Sequence, residues 1–479
     1  MKNLLVKKDI ASILKSAESS GLKRSLNATH LVMLGVGAIV GTGIFIITGQ
    51  AAAMYAGPAL SISFLISALA CVLAGLCYAE FAAMMPVSGS VYSYCYTALG
   101  ELPAWFVGWA LVMEYLFACS SVAVGWSEYV TNLLDGWGMS IPSHLSLSTL
   151  DHTADRGWYF TGSLIDFPAV FIVAVITAFL IGGTKQSTWI NNIIVVVKVT
   201  VILLFVGFGL SYVNVDNLTP FIPENTGKFG SFGWSGILRG AAVVFYAYLG
   251  FDALSTAAQE VKNPQKDMPR GILISLLICA LLYASVTLVL TGIVPYTELN
   301  TEAPIAFAID SAGKGLAWLS PFIKTGAIAG ITSVILVMSL GQSRIYYAIS
   351  RDGLLPKIFS KVNRRGVPVN STLLGGIVTG IIAGILPLHV LVELVSIGTM
   401  LAFTIVCISV VVLRKTQPLI PRPFRTPWVP FVPLLGATIC IIQMLSLPAT
   451  TWTRLAIWTV TGLIIYFTYG IKHSHLRKR

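Results

Sequence analysis

Apolar residues in this chain come in long runs broken by short polar stretches. A membrane-spanning helix needs about 20 such residues. Twelve runs meet or approach that length: 31–55, 59–84, 103–131, 166–183, 190–211, 235–258, 271–294, 320–348, 371–386, 389–413, 431–448 and 452–471. The pattern predicts an all-α integral membrane protein with 12 transmembrane helices. The ninth run is short. Between the runs, Pro86 to Leu102 is semi-polar and aromatic and predicts a short interfacial helix or helical pair. Ala303 to Gly315 predicts an amphipathic helix lying on the membrane. Residues 132–165 form the longest outer segment, and no role follows from its sequence.

Composition agrees. Of the 479 residues, 56% are hydrophobic and 11% charged, against about 25% charged in a soluble protein. No cleavable signal peptide is expected, because the first 30 residues are polar and basic and lack a short apolar core. The formal net charge is +11. With the N-terminus placed in the cytoplasm, 24 Lys and Arg fall in cytoplasmic segments and five outside. This asymmetry is the positive-inside signature. It puts both termini in the cytoplasm of a multi-pass cell-membrane (plasma-membrane) protein and explains the charge without a nucleic-acid partner. The seven cysteines lie in or beside apolar runs and form no CxxC, so neither a disulfide framework nor a metal site is suggested. There is no HExxH, P-loop or GxSxG, and the reading is not an enzyme.

Two runs are interrupted. The first contains GVGAIVGTGIFIITG, Gly35 to Gly49, with glycines at 35, 37, 41, 43 and 49. Glycine costs a helix roughly 1 kcal/mol relative to alanine. Irregular backbone at membrane depth is tolerated where it lines a cavity, so Gly41-Thr42-Gly43 reads as a break between two half-helices. Close packing through Gly37-x-x-x-Gly41 is the competing reading. The sixth run has a counterpart in Tyr246-Ala247-Tyr248-Leu249-Gly250-Phe251-Asp252. Two antiparallel broken helices, five apart, mark an inverted-repeat transporter. The outer half of the first would offer free N–H groups and a positive dipole end to an anion. The outer half of the sixth would offer carbonyls to a cation. The backbone of an α-amino acid carries both groups one carbon apart.

Six ionisable groups inside the runs stand out. Lys198 lies about 12 Å into the fifth run at 1.5 Å per residue. Either it snorkels to the cytoplasmic face, or it couples transport to protons, since an amine withdrawn from water can exchange its proton near neutral pH. Glu114 could tune Lys198 or the pocket or contact the substrate side chain, or be a buried hydrogen-bonded acid. Asp252 follows the second break and reads as a cap on the inner half-helix. Arg239, like Glu128 and Glu393, falls near an outer helix end and reads as interfacial. Met338, counted back from GQSR (Gly341 to Arg344), lies near mid-depth in the eighth run. Facing a pocket, its apolar chain would disfavour a cationic substrate.

GVGAIVGTGIF with Gly57-Pro58, YAEFAAMMPVSGSVYSY, FYAYLGFDALSTAAQEVKNPQKDMPRGI and GQSRIYYAISRDGLLP together resemble the amino acid–polyamine–organocation superfamily. Within it the set is most similar to the cationic amino acid transporter family in its bacterial, twelve-helix form, over about Leu31 to Phe424. The resemblance implies a LeuT-like, five-plus-five inverted repeat. Residues 1–30 would be a cytoplasmic tail, 31–211 the first repeat and 235–413 the second. Residues 431–471 would be two additional C-terminal helices, and 472–479 a cytoplasmic tail. It implies that substrate carboxylate meets Gly41, Thr42 and Gly43, and the ammonium meets backbone near Ile39, Tyr246, Ala247 and Leu249. Tyr246 stands where family members commonly carry a Phe gate. A helix-5 lysine, here Lys198, implies a proton as coupling ion, with no other cofactor, and donation to helix-1 carbonyls near Gly37.

The expected function is proton-coupled symport of small neutral amino acids such as alanine by alternating access. A cationic amino acid transporter, an exchanger, a sodium symporter and an amino-acid sensor without net transport remain alternatives. The expected partners are substrate and membrane lipid, with no nucleic acid; a small membrane-protein partner is left open.

Overall fold

A computed structural model describes residues 4–9, 26–87, 89–153, 156–182, 188–313, 315–363 and 367–477. Among the basic residues counted for orientation, Lys2, Lys15, Lys23, Arg24, Lys185, Lys314, Arg364, Arg365, Lys478 and Arg479 lie outside them.

The described chain is a helical membrane protein. Eight helical segments are long and apolar enough to cross a bilayer, and four further apolar helices have 10–17 residues. In chain order the helices are α1 (Ala28–Ile39), α2 (Leu60–Met84), α3 (Ser90–Ala98), α4 (Glu101–Gly136), α5 (Phe167–Ile181) and α6 (Thr188–Gly209). They continue as α7 (Gly233–Val244), α8 (Phe251–Thr256), α9 (Pro264–Ile293), α10 (Pro304–Ser311) and α11 (Ser320–Arg351). The last are α12 (Val369–Ile385), α13 (Leu388–Thr416), α14 (Phe431–Ser446) and α15 (Ala449–Ile465). Eleven of the twelve apolar runs fall on one of these helices or on a pair of them, and the first covers α1 and the helical turns of residues 43–56 that follow it.

α4 packs along α11 and α13, and α2 along α9. α1 lies against α9 and α6. Hydroxyls inside the helices return to carbonyls four residues back, as Thr287 does to Tyr283 (2.7 Å) and Thr404 to Met400 (2.8 Å). In hydrocarbon such back-bonding leaves no polar group exposed.

Both tails meet on one face. Lys8 pairs with Asp352 at 2.6 Å, Tyr92 donates to the same carboxylate (2.9 Å), and the His475 N–H donates to the Asp352 carbonyl (3.0 Å). Glu101, fully buried at the start of α4, accepts from Tyr96 (2.8 Å), Tyr466 (2.8 Å), Ser474 and Arg477 (2.6 Å). A carboxylate withdrawn from water is tolerated when it is paired in this way. Because α4 and α11 are continuous, Gly136 and Ser320 lie at the face opposite the tails.

Two connecting segments carry the expected helix but bury it in protein, and a third, for which nothing was expected, carries strands. Pro86 to Leu102 contains one helix, α3, whose residues are buried except Ser93, rather than an interfacial helix or pair. Its tyrosines pack inside the protein: Tyr94 stacks on Phe81 (4.9 Å between centroids). α10 forms within Ala303 to Gly315, but its apolar face does not lie on lipid. Ile305, Ala306, Ala308 and Ile309 are buried, and Pro304 is so close to Gly49 that a Cβ there would sit 2.3 Å from it. The outer segment 132–165 holds an antiparallel hairpin of β1 (Leu150–Thr153) and β2 (Gly157–Phe160). Its His152 carbonyl lies 3.1 Å from the His389 ring, at the start of α13.

Two of the three residues read as interfacial are held by protein, whereas the Glu128 Oε2 is buried with no hydrogen-bond partner among the described residues. Arg239 donates to the Ser446 carbonyl, and Glu393 accepts from Thr451 (2.6 Å) and Arg454 (3.3 Å).

Candidate functional site

The first run breaks at Val40 and Gly41. Val40 leaves helical geometry (φ −75°, ψ 101°). The Gly41 carbonyl then accepts from both Ile44 (3.2 Å) and Phe45 (3.3 Å), which starts the outer half-helix. That half begins in wide turns, Gly43–Ile47. The Thr42 and Gly43 N–H groups sit in its first turn, where no carbonyl four residues back is available.

The sixth run breaks in the same manner. α7 tightens into a 3-10 turn at Phe245–Tyr248, Leu249 is extended, and Gly250 is left-handed at φ 111°. α8 then begins at Phe251, and its Asp252 carboxylate accepts from the Gly250 N–H (3.2 Å).

The two breaks touch through glycine on each side. A Cβ on Gly43 would lie 2.5 Å from the Cα and Cβ of Ala247. A Cβ on Gly250 would lie 2.8 Å from the backbone of Ala38, and positive φ already disfavours a side chain there. Gly43 is therefore required by close approach to the second break.

Breaking a helix orphans carbonyls, and two side chains take them up. Lys198, fully buried in α6, donates to Gly37 (2.5 Å) and Val40 (2.9 Å), with Ser333 Oγ at 3.3 Å. A cation at the C-terminal end of α1 also opposes the negative end of its dipole. Tyr283 of α9 reaches Ile39 (2.9 Å) and Ala247 (2.8 Å). One hydroxyl hydrogen faces two carbonyls, so one acceptor is without a hydrogen at any moment.

Between the breaks lies a cavity of about 20 Å³, room for about one water molecule. Ile39, Gly41, Thr42, Gly43, Tyr246, Leu249 and Met338 line it, with Ala38, Ala118, Val122 and Val334. Tyr246 closes part of the wall: its hydroxyl bridges Thr42 (2.8 Å) and Ser121 (2.8 Å). The far end, made by Ala118, Val122, Val334 and Met338, is apolar. One pole of the cavity thus carries the first-turn N–H groups of a half-helix and the other carbonyl oxygen, with an uncharged end beside them.

The remaining candidates lie elsewhere. Ala247 sits behind Gly43 and not in the cavity wall. Lys198 is behind the first break. Glu114, one turn from Ala118 on α4, is not in the wall either. It is buried beside Asp252, and its Oε2 has no hydrogen-bond partner among the described residues. Asp252 is bound by Tyr115 (2.7 Å). Sequence reasoning missed Tyr283, Ser121 and Ser333, because a hydroxyl within an apolar run gives no sign of which carbonyl it will meet. It missed Ala118, Val122 and Val334 because aliphatic residues look alike on every helix face.

A small cavity at the junction of two broken membrane helices is the arrangement the sequence led one to expect of a carrier. Comparison with known proteins agrees. The amino acid permease pattern matches residues 26–468, and the chain belongs to that family, within the amino acid–polyamine–organocation superfamily. It is 47% identical to the methylthioribose transporter of Bacillus subtilis over the whole of both chains. It is 43% identical to the branched-chain amino acid permease BcaP of the same organism, over 98% of each. It is 37% identical to the vacuolar cationic amino acid transporter 4 of Arabidopsis thaliana, over 87% of this chain and 68% of that one. These relatives are transporters, not enzymes.

Proposed function

We propose that the protein is a secondary active, proton-coupled symporter of small neutral L-amino acids, alanine being typical, in the cell membrane with the tail face cytoplasmic. The observation that carries this reading is the cavity with two backbone poles and an apolar end, which holds about one water molecule as it stands and must widen to admit alanine. The substrate carboxylate sits on the Thr42 and Gly43 N–H groups, where the helix dipole favours an anion. The ammonium sits toward Ile39, whose carbonyl shares one hydroxyl hydrogen with Ala247. Its side chain points to Ala118, Val122, Val334 and Met338.

Coupling resides in Lys198. Protonated, it ties the Gly37 and Val40 carbonyls and holds the inner half of the first helix against α6. Deprotonated, it releases that half, and the cavity opens to the tail face. The fold that performs this motion has twelve spans: residues 31–211 and 235–413 as inverted five-helix repeats, and 431–471 as two added helices. Rocking of one repeat against the other gives alternating access.

Polarity decides the side chain. The cavity carries no charged wall residue, and burying an unpaired guanidinium or ammonium there is costly. The similarity to a branched-chain permease and to a methylthioribose transporter makes a larger apolar or thioether ligand the second reading, favoured by Met338 and the valines. Competition against labelled alanine uptake separates them, with excess alanine, serine, leucine, arginine, lysine and methylthioribose. Alanine and serine are expected to inhibit strongly and arginine and lysine weakly, while Met338→Ser gains inhibition by arginine. Strong inhibition by arginine or lysine with little by alanine reverses the assignment, and methylthioribose or leucine alone selects the second reading.

A further inference from the structure

On the face opposite the tails lies a second cavity, of about 540 Å³. Its wall carries both signs of charge. Asp135 ends α4, Glu302 precedes α10, Asp310 ends it, and Lys324 lies in the second turn of α11. Lys324 and Asp310 are 3.7 Å apart. The Glu302 carboxyl is pushed above its ordinary range, first by partial burial and then by the charge of Asp135, so these two acids face the same space. Asn132 of the wall has a buried Oδ1 without a partner among the described residues.

Its position ties it to the central cavity. On α4, Ala118 and Val122 line the central cavity, Gly125 packs on Thr42 and Ile46, and Tyr129 donates to the Phe45 carbonyl (3.0 Å). Asn132 then reaches the second cavity. These steps of three or four residues trace one helix face. On α11 the same face runs from Met338 and Val334 through the fully buried Ile331 and Ala327 to Lys324. On each helix ten residues separate the two cavities, about 15 Å of rise. Tyr129 stands on that face between the two cavities and packs edge to face on Phe45 at 6.0 Å.

We propose that this outer cavity is a first-contact site for an α-amino acid. The ammonium is taken by Asp135 and Glu302, and the carboxylate by Lys324 as it turns from Asp310. Held there, the substrate waits above the Phe45–Tyr129 pair for the central cavity to open. The proposal rests on the amino acid reading above.

Initial rates of labelled alanine uptake in proteoliposomes, from the side this cavity faces, test it in Asp135→Asn/Glu302→Gln and in Lys324→Gln. Exposed charge pairs contribute modestly, so each lost charge is expected to raise KM roughly two- to fivefold. The double variant should reach about tenfold, with the maximal rate unchanged. Alanine-induced thermal stabilisation in detergent, which reports the central cavity, should keep its concentration dependence. Unchanged KM in both variants overturns the proposal. So does a rise in KM matched by an equal shift in thermal stabilisation, which shows the substitutions acting on the central cavity. If alanine neither stabilises the wild type nor enters, the amino acid reading itself falls and takes this site with it.

Discussion

Lys198→Ala is expected to lose gradient-driven accumulation of alanine altogether while keeping exchange. At one proton per substrate, an inward gradient of one pH unit supports about tenfold accumulation. In the variant the ratio of inside to outside alanine should settle at one. The reason is geometric. Lys198 is the titratable group that holds the Gly37 and Val40 carbonyls at the first break. Alanine leaves both unpaired, each at a cost of about 1–3 kcal/mol, so the variant should also melt at lower temperature. Counterflow, in which labelled alanine enters against unlabelled alanine inside, needs no gradient and shows that the carrier still folds and turns over. Undiminished accumulation under the gradient would remove Lys198 from the coupling mechanism.

Gly43→Val is expected to weaken alanine binding roughly ten- to hundredfold. A Cβ at this position meets the Ala247 backbone at 2.5 Å, and valine adds two methyl groups. The two breaks must separate, which displaces the Thr42 and Gly43 N–H groups from the carbonyl pole. Overpacking of this kind costs about 1–3 kcal/mol, a roughly ten- to hundredfold loss of affinity. Thermal stabilisation of the purified protein by alanine reads the loss. Normal stabilisation would show that the junction of the breaks is not the binding site.

Glycine made the breaks legible. Gly41, Gly43 and Gly250 interrupt apolar runs where a spanning helix gains nothing from them, and the structure breaks at or beside each. What glycine could not reveal was the partner: Gly43 faces Ala247 and Gly250 faces Ala38, contacts that depend on how two helices five apart in sequence come together. Lys198 was legible because a charge at mid-run stands out. Tyr283, bridging the two breaks, was not, since a tyrosine in an apolar run is ordinary. The same limit applies to α10: its amphipathic pattern predicted a helix, but the same apolar face suits lipid or protein, and here Gly49 lets it dock on the outer half of the first helix. The β1–β2 hairpin escaped notice because four-residue strands in a polar segment are too short to show a period.

The account stands most directly on coupling between protons and substrate. Wild-type protein reconstituted into liposomes, given labelled alanine with and without an inward proton gradient and with no sodium present, decides it. The expected result is accumulation of alanine above the outside concentration when the gradient is imposed, collapsing when a protonophore dissipates it. Uptake that reaches the same level with and without the gradient, or that requires sodium, would contradict the account.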